Sequence, residues 1–176
     1  MNTQQIEYIL LHDPFVGSRF RGVYSWDKVR WFESGMCVIN TAPSSQTTGG
    51  HWIALNVGAD EAEYFDSYGG DVPKAIKRRW KKKSWVSNPI PLQSPLSAVC
   101  GQYCIYYLIH RARGFTLPAI TMEFVSDVDY NDQLVYDFVK NRYEFEDLKL
   151  LDTGGVFTQL AKACISTPSI RNPSGQ

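Results

Sequence analysis

The stretch His51-Trp-Ile-Ala-Leu-Asn-Val-Gly-Ala-Asp-Glu-Ala-Glu-Tyr-Phe-Asp66 contains the clearest local pattern in this chain of 176 residues. Apolar residues dominate 52–57 and 62–66, and the turn-forming run 58–61 separates them. Two such runs predict a β-hairpin. With a turn centred near residues 58 and 59, the numbers of paired residues sum to about 117, which places His51 across from Asp66. A longer turn shifts the pairing towards Ser67 or Tyr68.

A long apolar segment, residues 97–114, predicts a helix that runs through the core. Ser97 is its candidate N-cap, and Gly114 is its stop signal. Other patterns predict helices at 3–11, 117–124 and 129–142, a buried strand at 35–40 and a last apolar stretch at 156–165. These elements fit a single domain over residues 1–165, followed by a polar tail at 166–176 that frays.

Composition excludes several classes of protein. The 18 Lys and Arg residues balance the 18 Asp and Glu residues, and 44% of the chain is hydrophobic, which excludes wholesale disorder. The longest apolar runs are far shorter than the roughly 20 residues that span a bilayer, so we expect no membrane association. The N-terminus has neither a basic start nor an apolar signal segment, and we expect the protein to stay inside a cell.

Four cysteines stand at positions 37, 100, 104 and 164, without a Cys-x-x-Cys pair. This spacing fits neither a zinc site nor a disulfide framework, and we expect no metal. Cys100 lies in the first turn of the predicted helix, where the helix dipole lowers a thiol pKa. Gly101 follows it and leaves room for a substrate backbone. Cys100 is therefore the candidate nucleophile, and we expect the other three cysteines to pack in the core.

A cysteine nucleophile needs a base, and the sequence has three histidines to choose from. His110 lies ten residues along the same helix, roughly 15 Å from Cys100. His12 stands at a predicted helix end, where a solvated or capping role is the ordinary interpretation. His51 remains, with Asp66 as the carboxylate that orients it. A structural hydrogen bond at a sheet edge is the alternative interpretation of this pair.

An oxyanion donor completes such a site. The backbone N–H of Cys100 is one candidate, and the side-chain amide of Gln93, seven residues upstream in a loop, is another. The order His, Asp, Gln, Cys then matches a cysteine hydrolase.

Positions 74–83 hold seven of the 18 basic residues and no acid. A solvated helix face is the ordinary interpretation of such a block. The functional alternative is contact with a polyanion, with Trp80 and Trp85 stacking on bases. The residues that would contact nucleic acid are then Lys77, Arg78, Arg79, Lys81, Lys82 and Lys83.

Several motifs over residues 14–143 resemble the adenovirus-type maturation proteases, and especially those of Polinton/Maverick-type virus-like elements. The motifs that carry the resemblance are Pro14-Phe15, Gly22-Val-Tyr24, Cys37-Val-Ile-Asn-Thr-Ala42, Thr48-Gly-Gly-His-Trp-Ile-Ala54, Tyr64-Phe-Asp-Ser-Tyr-Gly69, Gln93 and Ser97-Ala-Val-Cys-Gly-Gln-Tyr-Cys104. The resemblance implies an α+β fold related to papain, with permuted catalytic elements and a mixed central sheet flanked by helices, as in the SUMO proteases.

The resemblance also implies roles for individual residues. His51 is the base, Asp66 its orienting carboxylate, Gln93 the oxyanion donor and Cys100 the nucleophile. Trp52 lines a narrow channel that admits small residues, although a plain strand anchor is an equally good interpretation. Gly50 and Gly101 are the other expected substrate contacts.

The resemblance implies that the chemistry requires no cofactor. It also implies that DNA or a peptide acts as an activator. The adenovirus enzymes carry a glutamate where Asp66 stands, and they bind their peptide through a cysteine where this chain has Lys81–Lys83. A peptide activator of this chain would therefore bind without a disulfide.

The sequence thus predicts a thiol endopeptidase that matures a virion or virus-like particle in the nucleus or cytoplasm of a host cell. Its expected substrates are viral structural precursors, cleaved near Gly-Gly or Gly-x-Gly. The chain's own residues 151–156 suggest self-cleavage, although a glycine turn explains them equally. The alternatives are an isopeptidase that removes ubiquitin-like modifiers and a non-catalytic nucleic-acid-binding protein.

Overall fold

The computed structural model describes residues 1–46 and 49–143. The predicted apolar stretch at 156–165, the tail at 166–176, the 151–156 segment and Cys164 lie outside the described residues.

A mixed five-stranded sheet forms the centre of the fold. Its strands are β1 (Phe20–Ser25), β2 (Gly35–Asn40), β3 (Trp52–Val57), β4 (Glu61–Phe65) and β5 (Ser84–Ser87), and they lie side by side in chain order. The two inner contacts, β2 with β3 and β3 with β4, are antiparallel, whereas both outer strands pair in parallel. The buried β2 and the β3–β4 hairpin are confirmed at the predicted places.

Five α-helices surround the sheet in the described part of the chain. They are α1 (Thr3–His12), α2 (Lys74–Arg79), α3 (Cys100–Ala112), α4 (Leu117–Thr121) and α5 (Val128–Arg142), and a 3-10 turn covers Gly17–Arg19. Side chains cap several of them: Asn2 and Gln5 form a capping box on α1, and Asp127 accepts from the first backbone N–H groups of α5. None of the described helices is long and apolar enough to cross a membrane.

The two faces of the sheet bury different partners. On one face, alternate residues of β2, β3 and β4 pack with Val72, Ile76 and Trp80 from α2 and its flanks. On the other face lies α3, whose Tyr107 stacks on Phe65 of β4 with ring centroids 4.6 Å apart. The central helix is buried from Gly101 to Ile109, as its apolar sequence predicts. The core therefore holds α3 against the middle of the sheet and fixes where the helix begins.

Three details of the predicted elements were wrong. The helix begins at Cys100 with Val99 as N-cap, and the Ser97 hydroxyl donates to the Ser94 carbonyl instead of capping it. The hairpin pairs Leu55 with Tyr64, a register two residues longer than predicted. The helix expected at 117–124 ends at Thr121. In addition, β1 and β5 were not predicted.

Candidate active site

Cys100 occupies the first position of α3, where the backbone N–H groups of the first turn have no partner inside the helix. The backbone N–H groups of Trp52 and Gly101 both point at its sulfur. The predicted open space beside Gly101 is absent, because a Cβ there would meet Ile6 and Met1 of the α1 region at 3.2 and 3.3 Å. Glycine at position 101 thus lets α1 pack against the start of α3.

His51 lies between an acid and a thiol. Its Nε2 atom is 2.7 Å from Asp66 Oδ1, and the two side chains are 18% and 10% exposed. Its other ring nitrogen, Nδ1, is buried and has no conventional hydrogen-bond partner among residues 1–46 and 49–143. The Cys100 thiol also interacts with the His51 side chain. The structure therefore brings together three of the predicted residues in the order acid, imidazole, thiol.

The longer hairpin register changes how Asp66 reaches His51. Extrapolated from the observed pairs, the residue opposite His51 is Tyr68 rather than Asp66. Asp66 directly follows the last residue of β4, and its side chain reaches diagonally across the two strands to His51. The predicted contact is confirmed, although the predicted pairing is wrong.

The Asp66 backbone is fixed by Asn88. The Asp66 N–H donates to Asn88 Oδ1 at 2.9 Å, and Asn88 Nδ2 donates back to the Asp66 carbonyl at 2.6 Å. The next residue, Ser67, accepts from the backbone N–H groups of Leu92 and Gln93. These bonds join residues 66–67 to the loop 88–93, and we call this arrangement the loop clasp.

The three side chains shift one another's protonation. Burial opposes a charge on His51, but its hydrogen bonds and the negative charges of Asp66 and Cys100 raise its pKa to about 9. Burial likewise opposes a thiolate, yet the His51 contact and the backbone N–H groups lower the pKa of Cys100. Burial also opposes the Asp66 carboxylate, and hydrogen bonds from His51 and the Tyr68 N–H lower the pKa of Asp66. The resting site favours a thiolate beside an imidazolium.

The other described cysteines lie in a different environment. Cys37 and Cys104 are fully buried, and burial raises the pKa of both thiols. They are core residues, as predicted, and a buried neutral thiol is a poor nucleophile. The described histidines 12 and 110 each place Nδ1 against a backbone carbonyl of their own helix.

Gln93, which the sequence places in a loop, is 2% exposed. Its Oε1 accepts from the Ser67 hydroxyl at 2.7 Å. Its Nε2 lies 3.0 Å from the Ser97 hydroxyl and 3.2 Å from the Ser97 carbonyl. The loop clasp and these bonds hold the amide beside the segment that leads into Cys100.

A cleft of about 430 Å³ opens at the sulfur. Trp52 and Gly50 line it as predicted, together with Cys100. Its other lining residues are Met1, Asn2, Thr3, Val23, Tyr24, Ser25, Asn40, Ala42, Pro43, Gln46, Gly49 and Ala98. Apart from Cys100, none of the lining side chains carries a formal charge, although 20% of the chain's residues are charged.

A second cavity, of about 620 Å³, lies at the basic block. Arg79, Lys81, Lys82 and Lys83 line it together with two acids, Glu33 and Asp60, and with Trp31, which is 62% exposed. We call it the cationic cleft. Trp80 cannot stack on a base as predicted, because it is 1% exposed and donates to the Phe32 carbonyl. Trp85 is half-buried and packs against the hydrophobic core that contains Trp80.

Metal ligands do not cluster in the described ranges, where no group of three or more His, Cys, Asp or Glu side chains could hold an ion. This part of the chain offers side chains for acid–base and nucleophilic chemistry.

No protein-family model and no curated protein matches the chain. A solved structure, that of the ASFV pS273R protease, matches 74% of the chain with a TM-score of 0.52 and 16% sequence identity. The chain therefore shares the fold of this protease. This confirms the predicted α+β architecture, with a mixed sheet flanked by helices.

The matched part spans 65% of the length of the pS273R protease. ChlaDub1 from Chlamydia trachomatis matches with a TM-score of 0.43 and 16% identity over 61% of this chain and 57% of its own. The SUMO protease Ulp1 matches with a TM-score of 0.39 and 11% identity over 79% of this chain and 78% of its own. Assignment to the adenovirus-type or Polinton branch stays a prediction.

Sequence reasoning missed residues that support the site. Asn88 fixes Asp66, Ser97 bonds to Gln93, and Tyr68 covers the His51 ring. Asn88 and Ser97 lie in loops without periodic signal. Tyr68 could have been found, because the longer hairpin register places it opposite His51.

Proposed function

We propose that the protein is a cysteine endopeptidase with Cys100 as nucleophile. The observation that supports this most is the half-buried His51 ring, which bonds to Asp66 through Nε2, keeps a buried Nδ1 without a conventional partner in the described residues and interacts with the Cys100 thiol. A purely structural histidine would satisfy both nitrogens, since an unpaired buried polar atom is costly.

The reaction begins from the thiolate and imidazolium. Cys100 Sγ attacks the substrate carbonyl carbon, a C–S bond forms, and the carbonyl oxygen becomes an oxyanion. His51 Nδ1 gives its proton to the amide nitrogen, the C–N bond breaks, and a thioester remains. His51 then takes a proton from water, which attacks the thioester, releases a carboxylic acid product and restores the thiolate.

The oxyanion needs donors at the moment it forms. The backbone N–H of Cys100 is one, and Gln93 Nε2 is the other. In the free protein this amide faces Ser97, so one of its hydrogens turns to the oxyanion when substrate arrives. Asp66 holds the His51 ring and stabilises its positive charge throughout.

Apart from the Cys100 thiolate, uncharged side chains line the cleft, which supports a preference for small, neutral residues at the scissile bond. Gly50 beside His51 has φ +96°, and a Cβ there would collide with the Asn40 side chain, so glycine at this position shapes the cleft wall. A charged substrate side chain would find no opposite charge among the other lining side chains. This agrees with cleavage near Gly-Gly or Gly-x-Gly in viral structural precursors within a host cell or particle.

The decisive test is cleavage of a Gly-Gly peptide panel and of precursor proteins by the wild type and Cys100→Ala. We expect cleavage by the wild type and none by the variant, while Cys37→Ala, which removes a buried thiol, retains turnover in the folded fraction. Cleavage only of ubiquitin-like conjugates would establish the isopeptidase instead. Wild-type rates in Cys100→Ala would reject the proposal.

The cationic cleft supports a second role for the chain, as a polyanion contact that modulates cleavage. Four basic and two acidic side chains line this cavity with the exposed Trp31 ring, which offers a stacking surface that the buried Trp80 does not. Exposed Lys77 and Arg78 extend the charge along α2. The same charge could receive an acidic activating peptide without a disulfide.

Binding of single-stranded DNA across a salt series tests this role. We expect affinity to fall with salt, and Lys81→Gln with Lys82→Gln to reduce the slope of log K against log salt by about 1 to 2. Trp31→Ala should weaken binding without changing the slope. Salt-independent binding, or no binding at all, would show that the basic block is only a solvated surface.

A further inference from the structure

Tyr68 covers one face of the His51 ring. The two ring centroids are 4.6 Å apart and the planes are inclined by 31°. The rings are tilted and close, within the distance of about 6 Å at which an aromatic ring attracts a neighbouring cation. The tyrosine is 37% exposed, so the ring pair lies at the edge of the site and not in the core.

The backbone of Tyr68 contacts the other side of the same site. Its N–H donates to Asp66 Oδ1 at 2.8 Å, and this is the oxygen that bonds to His51 Nε2. The tyrosine is therefore fixed to the acid through its main chain and to the base through its ring. The backbone contact is local, between residues two apart, whereas the ring contact brings together residues that are 17 apart in the chain.

The residue after Tyr68 fixes where the ring lies. Gly69 has φ +69°, its N–H donates to the Asp66 carbonyl, and a Cβ would come within 2.8 Å of Ile90 and Pro91. The turn cannot tilt outward without losing this bond. The ring thus has a defined place over His51 rather than a freely moving surface position.

The charges that shift the Tyr68 phenol are negative, although the ring itself lies on His51. Burial and the charges of Cys100, Asp132 and Asp66 raise the pKa of its phenol. The ring stays neutral wherever the site would work, and its effect on His51 comes from the aromatic face rather than from an ionised oxygen.

Building on the proposed function, we propose that Tyr68 is a positioning residue that favours the imidazolium form of His51 and thereby keeps Cys100 ionised. The aromatic face attracts the charged ring more than the neutral one. It also excludes water from the bond between His51 and Asp66, which strengthens that bond.

The test measures the pH dependence of Cys100 alkylation by iodoacetamide, followed by mass spectrometry. Three variants are compared with the wild type: Tyr68→Phe keeps the ring, Tyr68→Leu removes it, and Phe115→Leu is a matched control. Phe115 is an exposed aromatic residue whose ring lies 5.9 Å from that of His110, at the far end of α3. Circular dichroism and thermal melting establish that each variant is folded.

We expect Tyr68→Leu to raise the midpoint of alkylation by about half to one pH unit, and to slow alkylation below that midpoint about 3- to 10-fold. Tyr68→Phe and Phe115→Leu should stay within about twofold of wild type. With a cleavable peptide, kcat should fall in Tyr68→Leu at unchanged KM. A Tyr68→Leu profile that superimposes on wild type, or a Tyr68→Phe profile shifted as far as that of Tyr68→Leu, overturns the inference.

Alkylation needs no substrate, so the two proposals fail separately. A midpoint that depends on Tyr68 in a chain that cleaves no peptide supports the positioning role and rejects the endopeptidase. Cleavage with an unshifted midpoint rejects the positioning role alone.

Discussion

Two buried carboxylates three residues apart, Glu63 and Asp66, are used in opposite ways. Glu63 Oε2 accepts from Asn56 Nδ2 at 2.8 Å and from Tyr107 and Arg111 at 2.7 Å each. Burial opposes its charge, and these three donors lower its pKa. Asp66 instead bonds to a histidine that keeps one buried nitrogen unpaired in the described part of the chain. The first cluster is complete, whereas the second can still give or receive a proton.

We expect the largest effects when each carboxylate is neutralised. We expect Asp66→Asn to lower kcat/KM by about 10³-fold, because the amide no longer holds the imidazolium in place. Glu63→Gln should lower the free energy of unfolding by about 2 kcal/mol, since Arg111 loses its anionic partner while remaining partly solvated. Its kcat/KM per folded molecule should stay within about twofold.

Peptide kinetics combined with urea unfolding separate the two effects. An equal loss of activity in folded Glu63→Gln would show that the two clusters are not independent.

The second largest effect is expected at Gln93, which is as buried as Glu63 but has a proposed catalytic use. Gln93→Met should lower kcat about 10²-fold at unchanged KM, because the oxyanion loses a donor. Ser97→Ala is the matched control, since it removes a partner of the amide and leaves the amide itself. Steady-state kinetics of both variants decide the matter, and equal losses would assign Gln93 a structural role only.

Gly70 allows a smaller change that displaces Asp66 without removing it. A Cβ at position 70 would lie 2.7 Å from Asp66 Oδ2. We expect Gly70→Ala to lower kcat/KM about 10-fold, because a displaced carboxylate orients His51 less well.

Gly114→Ala provides the control for backbone strain. Gly114 has φ +97° with nothing within 4 Å of the added Cβ. This variant should lose about 1 kcal/mol of stability and no activity. Full activity in Gly70→Ala would mean that Asp66 tolerates the shift.

The smallest effect is expected from pH. His51 must hold a proton to release the amine, and its pKa of about 9 means that about a tenth of it is deprotonated at pH 8. The cleavage rate should therefore fall only slightly up to pH 8 and about tenfold per unit well above pH 9. Iodoacetamide alkylation of Cys100 should not fall there, because it needs only the thiolate. A parallel fall of both rates would indicate unfolding rather than loss of the His51 proton.

Local patterns predicted the centre of the fold and the centre of the site. The β3–β4 hairpin and α3 are formed by neighbouring residues with strong periodicity, and they bring His51, Asp66 and Cys100 together. The outer strands β1 and β5 were missed because each pairs in parallel with a strand reached through a longer connection. Their pairing depends on tertiary contacts that leave little local signal.

The rest of the prediction failed where it depended on which side chains are buried. Trp80 stands among six exposed or half-exposed basic neighbours, and its burial follows from α2 packing on the sheet. Gln93 is buried because the loop clasp places it there, and no pattern within residues 90–97 shows this. The place of Tyr68 near His51 could have been predicted, since it depended only on the number of residues in the hairpin turn.

The loop clasp has a consequence for engineering this protein. Asn88 and Ser67 tie the carboxylate loop to the loop that carries Gln93, so a shift of one loop moves the other. Substitutions in the two loops should therefore be strongly epistatic, with many changes tolerated only in compensating pairs. A library that randomises 66–70 and 88–93 together should yield active variants that libraries of either loop alone never contain.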